Sequence, residues 1–286
     1  MPELPEVQTI IDDLNQTILN KKIKKVDILL SRIVKGTNKS FRDILEKNSF
    51  ESINRRGKYI IISLKSNEFL VIHLRMTGQI IYEQDNNLIF GGHSDKNNNL
   101  NLPNKQTHVI FYFQDGSKLL YNDQRQFGFL EITDKNGVNH LENKLGVEPL
   151  SSKFTLSYFK NLLKDKKRNI KAFLLDQKYI AGLGNIYVDE SLFLAHILPK
   201  RLTNSLKEKE IKNLRWAIKK VLKQAIKYRG TTFNNYKDAH GRTGDFINKL
   251  KVYGQENKKC VRCTKGIIKK IRLAGRGTRY CPKCQK

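Results

Sequence analysis

The chain has 286 residues, with 54 lysines and arginines against 27 aspartates and glutamates, a formal charge of +27. An excess this large, with a pI of 9.9, points to a polyanionic partner, nucleic acid before an acidic membrane surface. No apolar run reaches the ~18 residues of a membrane helix, and the acidic N-terminus lacks an apolar signal core, so neither a membrane-spanning nor an exported protein is expected.

The first stretch reads Met1-Pro2-Glu3-Leu4-Pro5-Glu6-Val7. Proline as second residue favours trimming of Met1, which would leave Pro2 as a secondary α-amine beside Glu3 and Glu6. An α-amine titrates near ~8 against ~10.4 for lysine, so more of it is neutral and nucleophilic near neutral pH. The basicity of proline and the nearby carboxylates oppose this, and the site must offset them by desolvation or proton removal. A secondary amine that condenses with an aldehyde-level carbon gives an iminium with no N–H to lose. Its charge persists and favours elimination. Glu3 is placed to protonate a leaving group or ring oxygen. On composition alone, the same stretch is a tail with helix-starting acids.

Val7, Ile10, Ile11, Leu14 and Ile18 recur at helical spacing and predict an amphipathic helix that would pin Pro2 to the protein body. Short apolar or alternating runs then predict seven strands: Lys25–Leu30, Tyr59–Leu64, Phe69–Leu74, Gln79–Glu83, His108–Phe113, Lys118–Tyr121 and Phe129–Thr133. Gln114–Ser117 reads as a hairpin turn, and Gly91–Gln106 as a loop. This pattern predicts a β-sandwich up to about residue 133. Residues 134–150 read as a linker. Ser205-Leu-Lys-Glu208 is a capping-box sequence. It should open a helix with Ile211, Leu214, Ile218, Val221, Leu222 and Ala225 on one face, ending near Gly230. Gly230–Gly244 is polar and glycine-punctuated, a loop.

All four cysteines lie in two pairs, Cys260-x-x-Cys263 and Cys281-x-x-Cys284. Two such knuckles make a tetrahedral structural zinc site, with free or redox thiols the competing reading. Gly275-Arg276-Gly277 lies between them and predicts a β-hairpin ribbon presenting Arg276, although an arginine in an exposed turn is often merely solvated. In Asp176–Glu190, the turn Gly182-x-Gly184-Asn185 sits between helical segments. Backbone amides and Asn185 at a helix start make a phosphate site. A dinucleotide loop is excluded, since Tyr187 replaces the third glycine and no strand precedes. Arg55-Arg56-Gly57-Lys58, His73-Leu-Arg-Met76 and Asp123-Gln-Arg125-Gln-Phe127 are further candidates. Their plain readings are a solvated basic cluster, a structural histidine with a core methionine, and an arginine–aspartate pair beside a core phenylalanine.

Taken together, the Pro-Glu-Leu-Pro-Glu-Val start, the Asp176–Glu190 stretch and the cysteine module resemble the formamidopyrimidine-DNA glycosylase family nearly end to end. The resemblance implies an α+β fold. A catalytic β-sandwich domain with flanking helices would span residues 2–133 and a linker 134–150. A helix–two-turn–helix DNA-binding domain would follow at 151–250, with a zinc finger at 251–286. It implies Pro2 as Schiff-base nucleophile, Glu3 as proton donor and Glu6 as its assistant. Lys58 would bind phosphate and donate a proton in the first elimination, Arg276 in the second. Met76, Arg125 and Phe127 would fill the stack vacated by a flipped base, with Arg125 reading the orphaned cytosine. His73, Lys166, Asn185 and Tyr253 would contact phosphates. Gln106 stands where many relatives have a DNA-contacting histidine, and Arg229 replaces the first glycine of a Gly-Gly-Thr sequence. The implied enzyme removes oxidised purines from damaged double-stranded DNA and cuts the abasic strand. It would need one structural Zn2+, act as a monomer, and work in the cytoplasm on the nucleoid. An endonuclease VIII-type enzyme for oxidised pyrimidines is the close alternative, and a non-catalytic zinc-ribbon protein that binds damaged DNA is the alternative of another class.

Overall fold

The computed structural model describes residues 1–85, 87–92, 101–231 and 245–286. Half of the loop expected at Gly91–Gln106 and most of that at Gly230–Gly244 lie outside the described residues. The chain divides into two compact units. One comprises Met1–Asn143 with Tyr228–Asp245, the other Lys144–Lys227 with Phe246–Lys286.

In the first unit, α1 (Leu4–Thr17) follows the predicted spacing, with Leu4, Val7, Ile10, Ile11 and Leu14 buried. Pro5 falls in the first turn, where a missing N–H costs no helical bond. Behind α1 stand two five-stranded sheets. One has the order β1 (Ile23–Ile28), β8 (Thr107–Phe113), β9 (Lys118–Asp123), β6 (Gly78–Gln84), β7 (Asn87–Gly92), antiparallel throughout. The other runs β2 (Val34–Lys35), β10 (Phe129–Thr133), β5 (Phe69–His73), β4 (Tyr59–Leu64), β3 (Phe50–Arg56), with only β2–β10 parallel. Their apolar side chains form one core with α1 and with α2 (Asn38–Leu45). Phe50 packs edge-on against Phe111 and Phe113 at centroid distances of 6.1 and 5.9 Å, a favoured aromatic geometry.

The seven predicted strands are present, joined by three more. β2 is two residues long. β3 carries Glu51, Ser52, Asn54, Arg55 and Arg56, which mask its alternation. β7 falls on a stretch assigned partly to a loop. The Gln114–Ser117 turn forms as predicted, with Gly116 at φ +87° and the Asp115 carboxylate accepting from Ser117 N. The stretch expected to be a linker contains α3 (Lys135–Asn143). Only Val138 of this helix is buried, so it leaves a weak apolar signature.

The second unit holds α4 (Leu156–Lys164), α5 (Ile170–Leu175), α6 (Asn185–Leu194), α7 (Glu208–Lys227) and the hairpin β11 (Lys269–Leu273) with β12 (Arg276–Tyr280). Thr155 and Asn169 cap α4 and α5 through bonds from Tyr158 N and Ala172 N. The predicted capping box shifts by two residues. Glu210, not Glu208, accepts from the Lys207 backbone N at 2.7 Å, while Ser205 donates to Leu202. The apolar face of α7 is the predicted one, with Ala217 added. Among the described residues no helix is long and apolar enough to cross a membrane.

Candidate catalytic and nucleic-acid-binding site

The start of α1 is built around one carboxylate. Glu6 Oε2 accepts from the Glu3 backbone N at 2.9 Å. Its Oε1 accepts from Thr231 N at 2.9 Å and Thr231 Oγ1 at 3.1 Å. Pro2 and Glu3 are buried behind an exposed Met1. Burial removes water from the candidate nucleophile and acid, the desolvation that a nucleophilic proline amine requires.

Lys58 occupies the two-residue turn Gly57–Lys58 between β3 and β4, with Gly57 at φ +59°. It is 6% exposed, a rare fate for a lysine. Gln8 on α1 accepts from Arg55 Nε at 3.2 Å, which ties the first turns of the helix to the strand end leading into Lys58.

His73 closes β5 and is buried between aromatic rings, edge-on to Tyr59 and stacked on Phe129. Burial, then the charges of Arg75 and Lys58, push its pKa down to about 3. The ring is therefore neutral at physiological pH. Nδ1 accepts from Arg75 N at 3.0 Å, which places the ring proton on Nε2 as a donor. This has a stability consequence. The unfolded imidazole takes up a proton below its ordinary 6.5, whereas the folded one does not until about 3. Stability is complete above the unfolded value and falls with pH through that window, by about 2 kcal/mol between about pH 7 and about pH 5. Urea unfolding of the wild type and of His73→Gln at both pH values should show this component in the wild type only.

The Arg125–Phe127 segment is organised by Asp123, which is fully buried. Asp123 Oδ2 accepts from Gly128 N at 2.8 Å, and Oδ1 from Thr77 Oγ1 and from Arg125 N. The acid thus binds the backbone of Arg125 and leaves its guanidinium to lie over the Phe127 ring, 4.7 Å from its centroid. Phe127 is 56% exposed and belongs to no core. Gly128 is required, because a Cβ there would lie 1.9 Å from the Tyr121 hydroxyl. Met76 is half-buried, three residues beyond His73. Gln106 is half-buried and accepts from Asp123 N through its carbonyl. Sequence reasoning gave Asp123 no role of its own. An acid close before an arginine suggests an ion pair, which conceals the backbone clamp.

In the second unit, α6 starts at Asn185, with Gly184 at the cap and Gly182 at φ +88°. The Asn185 amide donates to Gly277 O at 3.0 Å, so this side chain fastens the motif to the zinc ribbon. Asp189 and Lys171, both fully buried, pair at 2.6 Å. Burial raises the Asp189 pKa to about 6 against the opposing pull of Lys171. The second Asp189 oxygen accepts from Arg279 N at 2.9 Å, and Lys171 reaches Gly277 O at 3.3 Å. Glu190 accepts from the backbone N of Lys251, Val252 and Tyr253. No sequence signal marked Lys171, Asp189 or Glu190 as organisers. Lys166 is half-buried, with its ammonium 5.8 Å from the centre of the Tyr179 ring, and Arg279 lies 4.2 Å over Tyr253. The hairpin turn is Ala274–Gly275, both at positive φ, so Arg276 is the exposed first residue of β12 and not the tip.

The cysteine sulfurs all lie within 4.8 Å of one another. Cys260 and Cys284 are 3.6 Å apart, Cys263 and Cys281 3.8 Å. These distances exclude disulfides. Four Zn–S bonds of ~2.3 Å in a tetrahedron require sulfurs roughly 3.8 Å apart, which this cluster matches. The four thiolates hold one structural zinc ion.

Family profiles match along the chain: the formamidopyrimidine-DNA glycosylase N-terminal domain over residues 1–130, its H2TH domain over 145–237, and the zinc finger found in FPG and IleRS over 257–286. The formamidopyrimidine-DNA glycosylase of Carboxydothermus hydrogenoformans is 43% identical, with both chains covered in full. That of Listeria monocytogenes is 39% identical, again over both full lengths. This chain belongs to the formamidopyrimidine-DNA glycosylase family. Crystal structures of Lactococcus lactis Fpg superpose with 36% identity and a TM-score of 0.88. One is the wild-type protein with a N7-benzyl-Fapy-dG containing DNA, covering 100% of both chains, and one is a complex with an abasic site containing DNA, covering 99% of both.

Proposed function

We propose that the enzyme is a bifunctional glycosylase of base-excision repair that removes oxidised purines and then cleaves the abasic strand. The observation that carries this reading is the start of α1. A buried proline follows a removable methionine, beside a buried Glu3 whose backbone is held by Glu6. With Met1 gone, the Pro2 amine attacks C1′ of the damaged nucleotide. Attack breaks the C1′–base bond, and the base leaves with the proton shed by the attacking nitrogen. Glu3 protonates the sugar ring oxygen, the C1′–O4′ bond opens and the nitrogen lone pair completes the iminium. The resulting iminium has no N–H to lose, so it acidifies C2′–H. Loss of that proton expels the 3′ phosphate, and a second elimination expels the 5′ phosphate. Lys58 supplies a proton in the first and Arg276 in the second.

Duplex binding in this reading uses the neutral Nε2–H of His73 with Lys166, Asn185, Tyr253 and Arg276 on phosphates. Met76, Arg125 and Phe127 enter the stack, and Gln106 contacts the DNA nearby. The exposed aromatic under an arginine favours this role, because a packed core would have hidden Phe127. The monomeric state and the cytoplasmic, nucleoid-associated location belong to the same proposal. Borohydride should trap a covalent enzyme–DNA adduct on an 8-oxoguanine duplex. Failure to trap any adduct on either 8-oxoguanine or abasic DNA would defeat the reading, and a preference for thymine glycol would move the enzyme to the pyrimidine branch.

Phosphate contacts predict that log K falls linearly with log salt, with a slope of about −0.9 per neutralised phosphate. Arg276→Ala should flatten that slope by about one contact and weaken all sequences alike. A changed preference for the base opposite the lesion would show that Arg276 reads bases.

A further inference from the structure

Arg229 stands where the family resemblance has glycine, and its backbone shows why glycine would fit. Its φ is +58°, in the region that L side chains rarely adopt, and Gly230 follows at +80°. The strain has a visible return. The Arg229 guanidinium lies 2.6 Å from both carboxylate oxygens of Asp13, which is buried on α1. Glycine at 230 suits this arrangement, since its φ of +80° strains other residues and a Cβ would press on the Glu6 carboxylate at 2.7 Å. Thr231, next in the chain, gives two hydrogen bonds to the same Glu6 oxygen. The other Glu6 oxygen takes the Glu3 backbone N, the amide formed by the Pro2 carbonyl.

We infer that Arg229 is a positioning residue for the Pro2 amine, acting through Gly230, Thr231, Glu6 and the Glu3 amide. The ion pair fixes the left-handed turn against the side of α1. The turn fixes Thr231, and Thr231 selects the rotamer in which Glu6 spans to Glu3. Rotation about the bonds at Pro2 and Glu3 is then restrained from a point two helical turns along α1. This pre-organises the nucleophile. Arg229 does not touch substrate in this role, and the inference rests on Pro2 being the nucleophile.

The test is single-turnover borohydride trapping on abasic-site duplex by Arg229→Gly, Arg229→Lys and Asp13→Asn. Glycine relieves the backbone strain, so Arg229→Gly should fold, and Asp13→Asn breaks the pair from the other side without changing any residue of the turn. The adduct rate at saturating DNA should fall about tenfold in Arg229→Gly and Asp13→Asn, since a small misplacement of a reacting group costs at least that much. The half-saturating DNA concentration should stay within about twofold, and Arg229→Lys should recover part of the rate. Amide hydrogen exchange at Glu3 and Thr231 should accelerate in the same variants, without DNA present. A wild-type adduct rate in Arg229→Gly, or a loss confined to half-saturation, would overturn the inference. If the wild type itself formed no adduct, the nucleophile assignment would fall, and unchanged exchange at Glu3 and Thr231 would independently refute the latch.

Discussion

Glu3→Gln should bind lesion duplex as the wild type does and excise the base on the order of 10²–10⁴-fold more slowly, the usual worth of a positioned general acid. The amide is isosteric and keeps an oxygen to accept from the Glu6 backbone N in the capping box, while the Glu6 carboxylate holds the Glu3 backbone N, so the helix start should stay intact. Abasic DNA, whose sugar already equilibrates with the ring-opened aldehyde, should still be trapped by this variant. Pro2→Gly separates the two chemistries in the opposite sense. Its primary amine gives an imine that can lose the nitrogen proton, so the permanent cation is gone and the eliminations should slow on both substrates. Rapid-quench measurement of base release and strand scission on the two duplexes distinguishes these patterns. Strand scission by Pro2→Gly at the wild-type rate on both duplexes would show that a permanent cation at residue 2 does not drive the eliminations.

Removal of zinc is the second large effect. The module around β11 and β12 buries little beyond Cys260, Ile268, Thr278, Cys281 and Gln285, too small a core to fold unaided. Structural zinc contributes about 10–16 kcal/mol to such modules. Chelation, or Cys281→Ser, should therefore unfold residues beyond about 257, and with them the β12 strand that begins at Arg276. Gly277 O is also the shared acceptor of Asn185 and Lys171, and Arg279 N occupies one oxygen of Asp189. Loss of the ribbon leaves that fully buried pair short of partners, so the damage should reach α6 as lost amide-exchange protection. Duplex binding should disappear, and zinc should restore it. Retained affinity after verified metal loss would mean that the ribbon is dispensable for DNA.

The sequence was most legible where the information is local. The period of α1, the apolar face of α7, the Asp115–Ser117 turn and the cysteine spacing each lie within 25 residues, and all form as read. β3 was hidden because half of it faces away from the core and carries charge. α3 was hidden because it buries one residue. At the start of α1 the sequence offered a candidate nucleophile and acid, Pro2 and Glu3, and the structure buries both. The support of that start was not legible. Arg229 and Asp13 are separated by 216 positions, and Glu6 and Thr231 by 225. Nothing in a periodicity or a motif couples residues so distant. The same holds for Lys171 and Gly277, 106 apart. Organising contacts of this kind become visible only when the chain has folded back on itself.

Glu190 anchors three successive amides at Lys251–Tyr253, a short way ahead of Cys260. These bonds run to the Glu190 carboxylate and not through the thiols. The ribbon therefore stays moored to the unit that carries α6, with or without metal. Because loop-closure entropy grows only with the logarithm of length, the short tether ahead of Cys260 adds little further cost to closure. The stripped ribbon should behave as a leashed segment whose thiols stay at high local concentration. Recapture of zinc would then be a unimolecular collapse after a single encounter, independent of protein concentration.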